Sequence, residues 1–356
     1  MQAEPRLYVM LLALVLLWLP AGAMAVGADD LYTARVAVGD QSTETRNEAL
    51  SEALAQVLRR VSGSEAAQLA GEALRPTRYM QRYEYERDDD APDGLWLRVA
   101  FDERALIGEL RDQGHMVWGR ERPTTLVWLA VRDGVDRTVL SRQDEDAVAR
   151  TLARAAHVRG LPVTLPEGDQ QDHRTVEFID LWGGFFETVE DASERYDARS
   201  VLAGRIDRDS GGGYRGRWTL LEAGQRRDWE SRADSLQGAM EKGLGELADI
   251  YLARFADGGD GVDRDMARIA VTGVRGLADY ARVLRYLEGL SPVEAVYVTR
   301  VDDEDLDLAL VIRGSRERLD GVIGVGSVLR AVERVTVTVD DGSRGFGPDF
   351  HYALEH

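Results

Sequence analysis

Apolar positions in residues 31–118 change between the period of a strand and the period of a helix. Residues 31–38 are typical of a strand, and the apolar positions that follow recur at the helical period of about 3.6 residues. Those helical positions are Ala49, Leu50, Ala53, Leu54, Val57, Leu58 and Val61. Thr45 and Glu48 predict a capping box at the start of this helix, and Gly63 predicts its end. With a half-buried strand at 95–101, the pattern predicts a β-α-β-β-α module over residues 26–120.

Residues 121–257 carry a second set of elements, predicted to form a mixed-sheet α/β module. The uninterrupted apolar stretch 124–131 predicts a central strand covered on both faces. A helix, further strands on either side of Gly211–Gly213 and a closing helix with Leu244 and Tyr251 on its apolar face follow. Residues 170–186 are rich in aromatic residues and show no regular period, so an irregular segment is predicted there.

The third set of elements, at 266–339, has the order β-α-β-β-α-β, which is the ferredoxin-like pattern. Dense Gly and Asp predict a linker at 258–265, and Gly and Pro predict a flexible tail at 340–356. The sequence therefore predicts an α/β (α+β) protein of three small modules in series, of which the first and third share one architecture.

The first 25 residues predict a secretory signal peptide. Arg6 precedes an apolar run from Leu7 to Leu19, and Ala23-Met24-Ala25 is a small-x-small cleavage pattern ahead of Val26. We therefore expect a periplasmic protein that is not stably inserted in the membrane after cleavage. The alternative is an inner-membrane protein anchored by an uncleaved N-terminal segment.

Composition narrows the classes of partner and cofactor. The 44 basic and 63 acidic residues give a net charge of −19, which argues against a nucleic-acid partner. The chain has no cysteine, so disulfides, thiol catalysis and Cys-ligated metals are excluded.

Candidate chemistry is sparse. The histidines form no H-x-x-x-H pair, and Asp303, Asp305 and Asp307 resemble a calcium loop but are followed by Leu308 where such a loop needs Gly. We expect no catalytic residue, no metal and no cofactor, although a cryptic carboxylate-dependent hydrolase stays as an alternative.

One segment has the composition of a binding surface. Aromatic residues beside a Gly-Gly pair can form an adaptable apolar contact, or can pack beneath the sheet. The candidate partner-contact residues are Phe178, Leu181, Trp182, Phe185 and Phe186.

Several sequence stretches resemble a known family. Residues 31–38, 46–63, 95–102, 118–131 and 279–298 look like a bacterial secreted or periplasmic envelope family catalogued as domain of unknown function two-thousand-sixty-six. The resemblance implies an exported protein without an established activity. More weakly, the central module looks like the N-terminal domain of the Tol translocation protein, by analogy of fold only.

These observations favour a periplasmic, non-catalytic protein-binding or envelope-assembly factor whose envelope protein partner is unidentified. The alternative is a small-solute or glycan-binding protein.

Overall fold

A computed structural model of the chain describes residues 31–87, 94–144, 147–222, 224–256, 264–332 and 348–356. The signal peptide 1–25, most of the linker and the predicted last strand at Val335–Val339 lie outside these residues. In the described ranges no helix is both long and apolar enough to cross a membrane. Three separate sheets confirm the predicted α/β (α+β) class with several modules in series.

The N-terminal module has a three-stranded sheet in which the middle strand in space is the last in sequence. Its elements are β1 (Thr33–Ala37), α1 (Thr43–Ala67), α2 (Pro76–Tyr79), β2 (Met80–Arg87), β3 (Leu95–Phe101) and α3 (Glu103–Asp112). Strand β3 lies between β1 and β2 and is antiparallel to both. The apolar stripe of α1 is buried against this sheet, as its spacing predicted.

The ends of α1 correct one sequence prediction and refine another. Ser42, rather than a capping box of Thr45 and Glu48, is the N-cap, because its hydroxyl accepts a hydrogen bond from Thr45 N at 3.2 Å. Gly63 interrupts the helix with a left-handed φ of 89°, and helical structure then resumes up to Ala67.

The central module contains the largest sheet. Its elements are β4 (Thr125–Asp133), β5 (Asp136–Val139), α4 (Ala147–Val158), β6 (Val163–Thr164), α5 (Gln170–Thr175), α6 (Phe178–Gly183), α7 (Phe186–Ser193), β7 (Ser200–Arg208), β8 (Tyr214–Glu222), β9 (Gln225–Ala233) and α8 (Leu236–Phe255). The sheet order is β5-β4-β7-β8-β9, and β6 runs parallel to the start of β4.

Strand β4 is buried on both faces, as predicted. Val127 and Leu129 enter the core beneath α4 and α8, whereas Leu126 and Trp128 enter a second core beneath α6 and α7. The predicted irregular segment at 170–186 is wrong, because the chain there forms the short helices α5 and α6 and the start of α7. These helices are too short for a periodic signal, and their rings cover the second face of the sheet.

The C-terminal module repeats the strand arrangement of the first. Its elements are β10 (Arg264–Thr272), α9 (Leu277–Gly289), β11 (Val293–Asp302), β12 (Asp305–Arg313), α10 (Arg316–Val325), β13 (Leu329–Ala331) and β14 (Phe350–Leu354). Strand β12 lies between β11 and β10 and is antiparallel to both. Strand β10 begins at Arg264, which is inside the predicted linker 258–265.

The prediction of a flexible tail at 340–356 is wrong for its last residues. Strand β14 lies between β10 and β13, parallel to β10, so the end of the chain occupies an interior position of the sheet. Tyr352 and Leu354 alternate into the core, and this alternation outweighs the nearby Gly and Pro that suggested a loose end.

Buried arginines join the N-terminal and central modules. The Arg122 guanidinium donates to the carbonyl oxygens of Trp118 at 3.1 Å and of Arg60, Gly119 and Gly160, each at 3.0 Å. It also lies 3.9 Å from the centre of the Trp118 ring. Burial lowers its pKa to about 9, and the Arg60 charge acts in the same direction. Such a dense set of contacts fixes the two modules in one orientation.

The central and C-terminal modules share one apolar core. A single cluster of buried side chains continues from Tyr251 and Phe255 of α8 to Leu319 and Ile323 of α10. The cleft described below lies in the central module, which packs against both of the others.

Candidate binding cleft

A cleft of about 750 Å³ opens at the β5–β6 edge of the central sheet. Helix α4 forms one wall, and residues 141–144 and 163–167 form the other. The lining residues are Ser141, Arg142, Gln143, Asp144, Ala149, Arg150, Leu152, Ala153, Arg154, Val163, Thr164, Leu165 and Glu167. Its volume falls in the range of about 300–1,000 Å³ that is typical of ligand sites.

The floor of the cleft is apolar because α4 carries small residues there. Leu152 faces the core, and Ala149 and Ala153 leave space above it. Val163 and Leu165 close the floor from the opposite side, where they pack against the same core. The side chains of these residues present an apolar surface to whatever enters the cleft.

The lining is cationic in a strongly acidic chain. The described lining residues include three basic side chains, Arg142, Arg150 and Arg154, and two acidic side chains, Asp144 and Glu167. Arg150 and Arg154 are one helical turn apart on α4, so their guanidinium groups leave the helix on the same side. The described lining therefore has a small basic excess in a chain whose overall charge is −19.

Both acids in the lining have partners. Asp144 accepts hydrogen bonds from the backbone N and the hydroxyl of Ser141, at 2.7 and 2.9 Å. Glu167 accepts from Arg142 at 2.5 Å across the wall. The two acids thus order the loops that form the cleft.

A hydrogen-bond network behind the wall holds Glu167 in place. The Tyr196 hydroxyl accepts from Glu167 N at 2.9 Å and donates to the buried Asp172 carboxylate at 2.5 Å. Burial and the Asp172 charge raise the pKa of Tyr196. Gly168 N also donates to Asp172, at 2.9 Å. Because Gly168 has a φ of 74° and its missing Cβ would overlap Ser141, only glycine fits here.

Arg195 connects this network to the start of α5. It donates to both carboxylate oxygens of Asp169, at 2.9 and 2.7 Å, and to Asp172 at 3.0 Å. The Arg195 guanidinium holds the pKa of the Asp169 carboxyl well below its ordinary value. These bonds are structural, and they position the wall rather than reach the cleft.

The candidate partner-contact residues lie on the opposite face of the sheet from the cleft. Leu181 is buried, and Phe178, Trp182 and Phe186 are half-buried against the core that contains Trp128. Phe178 and Trp182 stack with their ring centres 5.0 Å apart. The role of these residues in partner contact stays a prediction, but most of their ring area covers the sheet.

Arginines cover these rings from outside. Arg132 lies 4.3 Å from the centre of the Trp182 ring, and Arg137 lies 5.7 Å from that of Phe178. Phe185 is the exception among the five, since 57% of it is exposed. Ile179 of α6, which is also 57% exposed, and Phe185 are the large apolar side chains exposed in the described part of this segment.

Sequence reasoning missed the cleft. Arg150 and Arg154, spaced by four residues beside alanines on an amphipathic helix, were a usable local signal. Arg142 and Glu167 come from two separate loops, and no local sequence pattern indicates that they form an ion pair. No group of three His, Asp or Glu residues able to hold a metal occurs in the described ranges.

Comparison with known proteins places the N-terminal module in a family context. A family model described as "Domain of unknown function (DUF8605)" matches residues 25–119. The match supports a resemblance to a family of unknown function, but neither the numbered family named above nor an envelope setting. No curated protein matches the chain.

Some solved structures are similar to parts of the chain. One is the Thermus thermophilus Protein Y N-terminal domain, with 13% identity, 38% of this chain and 98% of that chain covered and a TM-score of 0.18. An uncharacterized protein has 11% identity, coverages of 37% and 91% and a TM-score of 0.18. A competence or damage-inducible protein from Enterobacter asburiae has 14% identity, coverages of 42% and 93% and a TM-score of 0.20. At these TM-scores the similarities carry no argument about fold or function.

Proposed function

We propose that the protein is an exported, non-catalytic binding factor of the bacterial envelope and that its cleft docks an acidic, partly apolar segment of a partner protein. The observation that carries the proposal is the apolar floor between Arg142 on one wall and Arg150 and Arg154 on the other. An apolar anchor would fill the floor while flanking carboxylates meet Arg150 and Arg154 of α4, since Arg142 is already paired with Glu167. The signal-like residues 1–25 and the resemblance to a secreted envelope family support the setting.

A small anionic solute with an apolar tail is the second candidate ligand. The cleft volume, which suits one small molecule, favours it. A glycan is disfavoured, because the described lining contains no aromatic ring on which a sugar could stack.

The proposal is tested by titrating a labelled peptide of leucines and glutamates into the full mature chain. We expect saturable binding that weakens by at least about tenfold in Arg154→Glu, which reverses one charge of the lining. Arg285→Glu is the matched control, because Arg285 is an exposed arginine within a helix of another module. A peptide with lysine in place of glutamate should not bind.

Two further results would decide between the candidates. If a fluorescent fatty acid binds and the peptide does not, the ligand is a small anionic solute and the proposal of a partner protein is wrong. Equal peptide affinity in Arg154→Glu and wild type would overturn the cleft as the site.

Export of the protein is tested by a separate experiment. Mass spectrometry of the periplasmic fraction should find Val26 at the N-terminus, and an intact Met1 in washed membranes would contradict export with cleavage.

A further inference from the structure

Strand β11 is the outermost strand of the C-terminal sheet. One of its edges pairs with β12, and in the described parts of the chain no strand pairs with the other. Tyr297 and Val301 are 58% and 62% exposed on this strand. Long edge strands with exposed apolar residues are normally protected against pairing with another chain, so this edge needs an explanation.

Three side chains of β11 share the outer face of the sheet, away from α9 and α10. Tyr297 is paired with Ala309 and Arg300 with Asp307, and both partners lie on that face. Glu294 reaches the same face, where its carboxylate accepts from Arg313 at 2.5 Å. Glu294 and Arg300 are each three residues from Tyr297, a spacing that would put them on the opposite face of a regular strand. The register shifts at 293–295 and 298–300 bring them to the same face as Tyr297.

We propose that β11 pairs with β11 of a second copy of this chain, antiparallel, with the two-fold axis at Tyr297. In this register Glu294 lies opposite Arg300 of the second copy, and the two Tyr297 rings meet at the axis. A shift that moves the axis to Val298 would set Glu294 against Asp302, which is a repulsive pair. Charge complementarity therefore favours the Tyr297 register over this shift. In the dimer Arg300 turns from Asp302 of its own chain to Glu294 of the second copy, which also accepts from Arg264 of its own chain at 2.9 Å. The two five-stranded sheets then become continuous.

The absence of cysteine makes the register directly testable. Residues opposite each other in an antiparallel pair have Cα atoms about 4.5–5.5 Å apart, which is within reach of a disulfide. In Tyr297→Cys the introduced thiol is the only one in the chain and meets its own copy. We expect mild oxidation to give a disulfide-linked dimer.

Two control positions separate pairing from chance collision. Thr299→Cys lies on the same strand, but in the proposed register its two copies are about 13 Å apart. Val135→Cys sits in a turn of the central module, where Val135 is 93% exposed. Crosslinking of Tyr297→Cys should be faster than that of either control by at least about tenfold, since its thiols are held together.

Sedimentation of the unmodified chain supplies an independent readout. We expect a concentration-dependent dimer, weakened at least about tenfold in Arg300→Glu, which sets like charges opposite Glu294, and unchanged in Arg285→Glu. A monomer at every concentration up to the solubility limit would overturn the proposal. So would equal crosslinking at Tyr297→Cys and Val135→Cys, or crosslinking of Tyr297→Cys to a different protein only. Peptide binding at the cleft does not depend on this edge and is unaffected by either outcome.

Discussion

At the scale of single residues, hydrogen-bonded and ion-paired side chains hold the loops beside the cleft in position. Asp169 is an informative case because it both caps α5 and binds Arg195. Asparagine caps a helix about as well as aspartate, so Asp169→Asn removes the charge while keeping the cap.

We predict that the stabilising effect of the Asp169 charge is lost in acid. Its pKa is lowered on folding, so its contribution is present above the ordinary pKa near 3.8 and disappears as the pH falls through the lower folded value. The free energy of unfolding of wild type should exceed that of Asp169→Asn at pH 6, and the gap should shrink at pH 3. A gap that is the same at both pH values would show that the carboxylate charge is not responsible.

Trp182 tests whether the aromatic segment is mainly packing or mainly contact surface. We predict that Trp182→Ala lowers the free energy of unfolding by about 2 kcal/mol, because a fully buried tryptophan costs about 3–5 kcal/mol and this ring is half-buried. Phe185→Ala is the control, with a change within about 0.5 kcal/mol, since that ring is mostly exposed. Denaturant titration of both variants measures the free energy of unfolding. A small change in Trp182→Ala would show that the ring is not mainly packing and would favour a contact surface.

At the scale of elements, helix α8 shows how packing outweighs propensity. It contains Gly243 and Gly245, which each lower helix stability by about 1 kcal/mol relative to alanine. A Cβ at Gly243 would overlap the indole of Trp218, whereas a Cβ at Gly245 would have its nearest neighbour 3.9 Å away, at Arg159 Nη1. One glycine is therefore required by the sheet beneath the helix and the other is not.

We predict opposite effects of alanine at these two positions. Gly243→Ala should destabilise the protein by about 1–3 kcal/mol through overpacking, and Gly245→Ala should leave stability unchanged or raise it by up to about 1 kcal/mol. Thermal unfolding of the two variants provides the measurement. Equal losses at both sites would mean that the Trp218 contact is not what requires Gly243.

The elements that the sequence predicted well are those with a long, clean period. Helices α1 and α8 and strand β4 all bury the residues that their spacing selected. The short helices α5 and α6 and strand β14 escaped prediction because each is held by long-range contacts. The cleft escaped because its lining residues, all between Ser141 and Glu167, surround a common space only when the loops before and after α4 fold against that helix. Arg150 and Arg154 were a local signal, but the contact between Arg142 and Glu167 was not visible in the sequence pattern.

At the scale of the whole molecule, the modules are joined by buried contacts of two different kinds. Arg122 links the first to the second through backbone carbonyls, and an apolar cluster links the second to the third. The first junction is polar and directional, while the second is a continuous core. We therefore expect the central and C-terminal modules to unfold together.

We predict that the last strand is essential to this joint core. Tyr352 is fully buried and donates to Asp320 at 2.7 Å, so Tyr352→Ala should lower the free energy of unfolding by about 3–5 kcal/mol. His351→Ala, on the other face of the same strand, should change it by only about 0.5 kcal/mol. Denaturant unfolding distinguishes them, and equally small effects would mean that the end of the chain is loose after all.

The interior position of β14 has a consequence for the order of events in the cell. Residues 350–354 are synthesised long after β10, the first strand of their sheet, yet they pair directly with it. Until residues 350–354 have left the ribosome, β10 lacks this neighbour, and the C-terminal sheet is incomplete. This sheet therefore cannot be completed strand by strand as the chain emerges, and β10 has to wait for residues 350–354 before both of its edges are paired.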